Sequence, residues 1–261
     1  MNISITGNLG SGKSSVAKIL KERGYEIFST GNIFRQLAMD KGVSVEEFNR
    51  QVNEAAKRGD RSVDKMIDDT TTKISEERDN IVIDSRLAWH FAPKSFKVFL
   101  ITDIDESSRR VFHDSVRANS ESYKSQEECK KALINRQKLE TVRYKEIYDI
   151  DYYDMSNYNL IIESTNALPE EIAQEILDRM SDYQAGVFDR LMKLNPSSIK
   201  AGSDEDTDCI LVKEKAGAFT LCAGKALLDA ALSANEKFVT VKIAGTEDGG
   251  EDSFMNFSKM I

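Results

Sequence analysis

The sequence predicts an α/β fold: a five-stranded parallel sheet flanked by helices, followed by a small C-terminal α+β module. Apolar strand-like runs at Ile3 to Ile5, Tyr25 to Phe28, Ile81 to Ile83, Phe96 to Ile101 and Asn159 to Ile162 alternate with helical patterns, as parallel strands covered on both faces do. The first run leads straight into Gly7-Asn8-Leu9-Gly10-Ser11-Gly12-Lys13-Ser14, the G-x-x-x-x-G-K-S spacing of a phosphate-binding loop. After Asn195-Pro196-Ser197-Ser198 and the acidic run Gly202-Ser203-Asp204-Glu205-Asp206, both turn and linker material, the pattern changes to short strands around one helix.

Each element has a local cause. Val16, Ile19 and Leu20 set the helix that follows the loop. Ser44-Val45-Glu46-Glu47 has capping-box form and opens a helix that turns Phe48, Val52 and Ala55 inward. Val63, Met66, Ile67, Thr70 and Ile74 continue at helical spacing after a break at Gly59-Asp60. Gln126 to Ile147 is a long charged helix that, read alone, is a solvated face. Pro169 suits the first turn of a helix through about Met180, and Tyr183 to Leu191 extends it or starts another. The C-terminal pieces are Cys209 to Lys213, Ala218 to Cys222, Lys225 to Ala234 and Phe238 to Ile243. These patterns divide the chain into a first domain over 1–180 and a module over 181–261, whose small, acidic and polar residues 245–261 form a mobile tail.

At 261 residues and 40% hydrophobic composition, the chain can bury one sizeable core and a smaller second one. A net charge of −8 argues against a broad nucleic-acid footprint. Cys129, Cys209 and Cys222 are odd in number, widely spaced and without C-x-x-C pairing, which suggests neither a disulfide framework nor a zinc site and fits a reducing, cytoplasmic setting. No apolar run approaches the length of a membrane span.

The loop supplies the first chemistry. Glycines let backbone N–H groups close around phosphate oxygens, and the helix N-terminus adds a fixed positive dipole. Lys13 reaches the β- and γ-phosphates of the nucleotide and Ser14 takes Mg²⁺, so the stretch from Gly7 to Ser15 forms the ATP cradle. Asn80-Ile81-Val82-Ile83-Asp84 is an apolar strand ending in a carboxylate, placed beside Ser14 to orient water on Mg²⁺ or to accept a proton from an attacking oxygen. Arg86 faces the same crevice or the surface. Ser29-Thr30-Gly31-Asn32-Ile33-Phe34-Arg35 opens a helix after the second strand. Ser29 and Thr30 offer hydroxyls there, Gly31 permits the turn, and Arg35 can grip a second phosphate bidentately. His90, beside Trp89 and Phe91, reads as packing, and so does the cluster of Tyr144, Tyr148, Tyr152, Tyr153 and Tyr158.

Ser29 to Arg35 resembles the acceptor-binding signature of P-loop nucleoside monophosphate kinases. Gly42 to Asn49, Asp84 to Trp89 and Arg143 to Asp151 resemble the short archaeal-type cytidylate kinases, and the similarity runs from Met1 to about Met180. The resemblance implies ATP-dependent phosphoryl transfer to a nucleoside monophosphate, CMP or else dCMP or UMP, with Mg²⁺. It implies that Arg35 and Arg86 hold the acceptor phosphate. It also implies a lid over about 109–143, from which Arg117, Arg136 and Arg143, with Arg109 and Arg110 as lesser candidates, reach the transferring group. Three departures stand out: Asn8-Leu9 in place of the usual prolines, Asn32 where many relatives carry an acid, and Asp149 where glycine is common.

Gly24-Tyr25 and the loop also resemble dephospho-coenzyme A kinase, although the second strand here ends in Ser-Thr-Gly rather than an acid. A non-catalytic ATP-dependent switch acting through the C-terminal module is the alternative of a different class. The kinase reading expects a chain cut near Ser181 to keep its turnover. The C-terminal module weakly resembles a ParB-like fold, yet Cys222-Ala223-Gly224-Lys225-Ala226 lacks that family's functional groups, leaving packing, dimerisation, a protein partner or regulation as its role.

Overall fold

The structure is a computed structural model that describes residues 1–114, 123–187, 191–215 and 218–244. Arg117 and the 245–261 tail lie outside the described residues. The first half runs β1 (Ile3–Gly7), α1 (Lys13–Glu22), β2 (Glu26–Ser29), α2 (Thr30–Asp40), α3 (Val45–Lys57), α4 (Ser62–Glu77), β3 (Ile81–Asp84), α5 (Ala88–Phe91) and β4 (Phe96–Ile101). It continues with α6 (Ile104–Phe112), α7 (Gln126–Tyr148), β5 (Leu160–Glu163) and α8 (Pro169–Gln184). The chain then forms β6 (Leu191–Leu194), β7 (Ile199–Lys200), β8 (Ile210–Lys215), β9 (Ala218–Ala223), α9 (Lys225–Ser233) and β10 (Val239–Ile243).

The first five strands are parallel in the order β2-β3-β1-β4-β5, which puts β1 and its loop at the centre. Registers Ile5 to Asp84 and Gly7 to Leu100 bring the loop, the end of β3 and the end of β4 to one carboxyl edge. That edge is where open α/β sheets bind ligands. On one face, Ile3, Ile5, Val98, Leu100 and Ile162 pack on Val16 and Leu20 of α1 and Ile172 and Ile176 of α8. Phe99, Ile101 and Ile161 face the other way, onto Tyr152, Tyr153 and Tyr158.

The sheet does not stop at β5. The helical reading of Tyr183 to Leu191 fails at its end, where Leu191 opens a strand, Leu191–Leu194, that pairs parallel to β5. It buries Met192 and Leu194 on alternate positions, a period-two pattern too short to outweigh the preceding helical one. Strands β10, β8, β9 and β7 add on beyond it, so the ten described strands form one sheet. Met192, Leu194, Val212, Phe219 and Leu221 thereby enter the same core as Phe99 and Tyr153.

Two local expectations shift. In α4 the buried positions are Asp64 and Thr71, and Met66, expected inward, is exposed. Val63 and Ile74 still pack on apolar clusters, while between them Asp64 faces Arg143 across the cleft. Ser44 caps α3 as expected, its hydroxyl accepting from the Glu47 amide at 3.1 Å.

Candidate active site

The loop is held open by its own backbone. Gly7 has φ +150° and a Cβ there would lie 2.4 Å from the Leu100 carbonyl oxygen; at Gly10, with φ +78°, it would lie 2.7 Å from that of Ser107. Only glycine fits either place. Asn8, where proline is usual in the resembled kinases, accepts from the Thr102 amide at 3.2 Å and so ties the loop to the end of β4. Ser164 donates to the Ser11 carbonyl at 2.9 Å and ties it to β5. Lys13 Nζ donates to the carbonyls of Gly7 and Asn8 at 3.1 and 2.8 Å, at the mouth of the cradle formed by Leu9, Ser11, Gly12, Ser14 and Ser15.

Ser14 Oγ donates to Asp84 Oδ2 at 3.1 Å. Ser29 Oγ reaches the same oxygen at 3.4 Å, and the Thr30 hydroxyl reaches the Asp84 carbonyl at 3.5 Å. A hydroxyl and a carboxylate so paired at the phosphate loop suit Mg²⁺, a hard cation that takes oxygen ligands and keeps several waters. Ser29 also caps α2, accepting from the Asn32 amide. Arg35, one turn into α2, donates to Asn32 Oδ1 at 2.5 Å and lies over Gly31.

Arg86 is nearly buried and lies against the start of the phosphate loop. It donates to the Gly7 carbonyl at 2.8 Å and to Glu140 Oε2 at 2.9 Å. Arg136 Nε donates to the other oxygen of Glu140, also at 2.9 Å. Burial opposes ionisation of Glu140, but Arg86 and Arg136 outweigh it and hold the carboxyl well below the usual range. Two guanidinium groups are thus held by one buried carboxylate. Arg143 pairs instead with Asp64, one turn beyond Glu140 on α7. Arg109 and Arg110 pair with Glu106, and Arg110 also donates to the carbonyls of Ser164 and Thr165 at 2.7 and 3.0 Å.

One cleft therefore gathers Lys13, Ser14, Ser29, Thr30, Gly31, Arg35, Asp84, Arg86, Arg136 and Arg143. It also holds Asp64, Asp68, Glu140, Tyr144 and Tyr148, none of which the sequence reading marked as site residues. Glu140 stands four residues after Arg136 inside a helix that reads as solvated. The one available signal was that spacing, which pairs opposite charges on a helix face. Asp64 and Asp68 share a face of α4 by the same rule. Tyr152, Tyr153 and Tyr158 are packing residues, each at most 2% exposed, as expected.

A phosphate loop on β1, a carboxylate closing β3 and an arginine-bearing α7 facing both define a P-loop phosphotransferase with room for an acceptor beside the donor. The chain belongs to the cytidylate kinase-like family, whose family model matches residues 2–166. It is 35% identical over 187 residues to the cytidylate kinase of Thermoplasma volcanium, a match spanning 70% of this chain and 92% of that protein. With the cytidylate kinase of Methanosarcina mazei it shares 37% identity over 165 residues, 63% of this chain and 87% of the relative. Its fold is similar to that of an uncharacterized protein from Eubacterium ventriosum, with a TM-score of 0.50 at 16% identity over 69% of this chain and 98% of that one. The family match ends before β6 begins, and nothing in these similarities supports the ParB-like resemblance of the C-terminal strands.

Proposed function

We propose that the protein transfers the γ-phosphoryl group of ATP to a nucleoside monophosphate, CMP foremost, giving the diphosphate and ADP. The observation that supports this reading is one cleft that gathers Lys13 and the Ser14–Asp84 pair with Arg86 and Arg136, both held by Glu140, Arg86 also by the Gly7 carbonyl. The relatives named cytidylate kinase support CMP as the acceptor.

In this reading the loop amides from Gly7 to Ser15 and Lys13 hold the ATP phosphates, and Ser14, with Asp84 through water, would hold Mg²⁺, which would supply charge neutralisation at the phosphates. Ser29, Thr30, Gly31, Arg35 and Arg86 seat the acceptor phosphate, which is already ionised, so no strong general base is needed. Arg136, with Arg117 from the lid, meets charge on the transferring group. Phosphoryl transfer is mostly positioning and electrostatics, and a pre-paired arginine costs little reorganisation at the moment of reaction. Cys129, Cys209 and Cys222 form no disulfide among the described residues, in keeping with a reducing, cytoplasmic setting.

ADP release measured with Mg²⁺ across CMP, UMP, AMP, GMP, dephospho-coenzyme A and shikimate tests the reading. CMP is expected to stimulate most. Stimulation by none of the monophosphates would contradict it.

A further inference from the structure

Against Asn8 and Leu9 of the phosphate loop lies a second cavity, of about 640 Å³, on the sheet face that carries Phe99 and Ile101. That volume is in the range of small-molecule sites. Its apolar wall is made by Phe99, Ile101, Ile104, Ile134, Tyr153 and Phe219. Lys13, Ser14, Asp84, Arg86 and Arg136 line the nucleotide cleft and not this cavity. One side is closed by Lys200 of β7 and Phe219 of β9, beyond the residues that the family model matches. The added strands therefore create a chamber that the matched part of the chain cannot close by itself.

Three polar groups of this wall are not used inside the protein. Ser107 is 1% exposed and its Oγ has no hydrogen-bond partner, a costly state for a buried hydroxyl unless something completes it. Lys138 of α7 and Lys200 of β7 are exposed at the rim and form no ion pair among the described residues. The acids in the same lining are already committed. Asp103 Oδ1 caps α6 by accepting from the Asp105 and Glu106 amides, and Glu163 accepts from the Asn195 amide and the Ser198 hydroxyl. An apolar chamber with an unsatisfied hydroxyl inside and unpaired positive charge at its rim is the complement of an amphiphilic anion.

Leu9 borders both this cavity and the nucleotide cleft. Helix α7 also stands between them, with Ile134, Gln137 and Lys138 on the cavity side and Arg136, Glu140 and Arg143 on the cleft side. We infer that the cavity is a second ligand site for a small amphiphilic anion, an aromatic or branched aliphatic body carrying one phosphate or carboxylate, and that filling it tightens donor binding. The body packs on Phe99, Tyr153 and Phe219, the anion meets Lys138 and Lys200, and a polar atom of the ligand completes Ser107. An occupied cavity holds Leu9 and α7 in place before ATP arrives, and preorganisation of this kind raises affinity. The inference goes beyond the kinase reading and needs only that the loop binds a phosphate-bearing donor.

The test titrates the full-length protein with anilinonaphthalenesulfonate, an apolar ring system with one anion whose fluorescence reports apolar surfaces. Naphthyl phosphate and naphthoate should displace it where inorganic phosphate does not, and the tighter of the two assigns the anion. Lys200→Glu reverses charge at the rim and Ala218→Trp fills the chamber. Each should weaken the better naphthyl competitor about tenfold or more, while ATP alone binds as in the wild type. Unchanged competition in Lys200→Glu, an exposed position that leaves the core intact, overturns the inference. Probe displaced by ATP and indifferent to both variants belongs to the nucleotide cleft and overturns it equally. In titration calorimetry, a saturating amount of the better competitor should lower the Kd of ATP about fivefold or more, and a shift within about twofold refutes the coupling. Probe bound here by a protein that forms no CDP supports the site and contradicts the proposed activity alone.

Discussion

Lys13 is the residue on which donor binding turns. Its Nζ is already drawn to the loop carbonyls, so Lys13→Ala removes a charge without opening a core. Its turnover should fall by about 10²-fold or more, as for loss of a transition-state donor, with the thermal midpoint little changed. Glu140 behaves differently because it is buried between two arginines. Glu140→Gln strips their counter-charge and should cost roughly 3–5 kcal/mol, the usual result of breaking a buried pair, measured by denaturant titration. The folded-state pKa of Glu140 is depressed, so its stabilisation is present above its ordinary value near 4.5 and is lost as the pH falls from there. For Asp68 the direction is opposite. Burial, with Asp64 and Asp69 on its own helix, pushes the carboxyl up to about 6 against the pull of Tyr148 and Arg143 on α7. The folded state holds that proton more tightly than the unfolded chain, so this group's contribution to stability falls as the pH rises from about 4 to about 6; thermal denaturation against pH reads the slope, and Asp68→Asn should remove its share of it.

Among the elements, α7 carries most of what the sequence hid. Its charge pattern reads as solvated because every acid and base along it can be satisfied by water, and sequence does not say which face meets another element. The structure turns Arg136, Glu140, Arg143 and Tyr144 inward and leaves Leu139 and Val142 outside, an inversion of the usual apolar-in rule. The glycine loop, the Asp84 strand end and the Ser29 cap were legible because each rests on local backbone geometry at fixed spacing. Asp64 and Asp68 were not, since their role depends on an arginine 79 residues away. The end of α7 supplies a further test. Asp149 sits at φ +56°, where glycine is common among the resembled kinases. A side chain in the left-handed region costs about 1 kcal/mol, only partly offset by the exposed Lys145 pair. Asp149→Gly should therefore raise the thermal midpoint by a few degrees, and a fall would show that the ion pair matters more than the strain.

At the scale of the whole molecule, the strands beyond α8 are part of the kinase's own sheet. Leu160, Ile161 and Ile162 of β5 pair with β6, and Glu163 accepts from the Asn195 amide and the Ser198 hydroxyl at 3.2 and 2.7 Å. A chain ending at Met180 would bare the edge of β5 and the face of Phe99 and Ile101, and would leave the buried Glu163 without those partners. The expectation that such a truncation keeps its turnover is therefore revised. It should lose several kcal/mol, each worth about 2–4 °C at this size, and lose activity with the fold; an unchanged midpoint would show that the two parts are independent. The composition break near residue 195 reads as a change of pattern, but continuity of a sheet is a long-range pairing that composition does not report.

The central claim is that one cleft brings a donor nucleotide and CMP together for direct transfer. Phosphorus-31 NMR of ATP, CMP and Mg²⁺ with wild-type protein reads this without a coupling enzyme. The account predicts CDP and ADP appearing at equal rates, with neither formed by Lys13→Ala. ATP consumed with no CDP, or CDP formed equally well by Lys13→Ala, would contradict it.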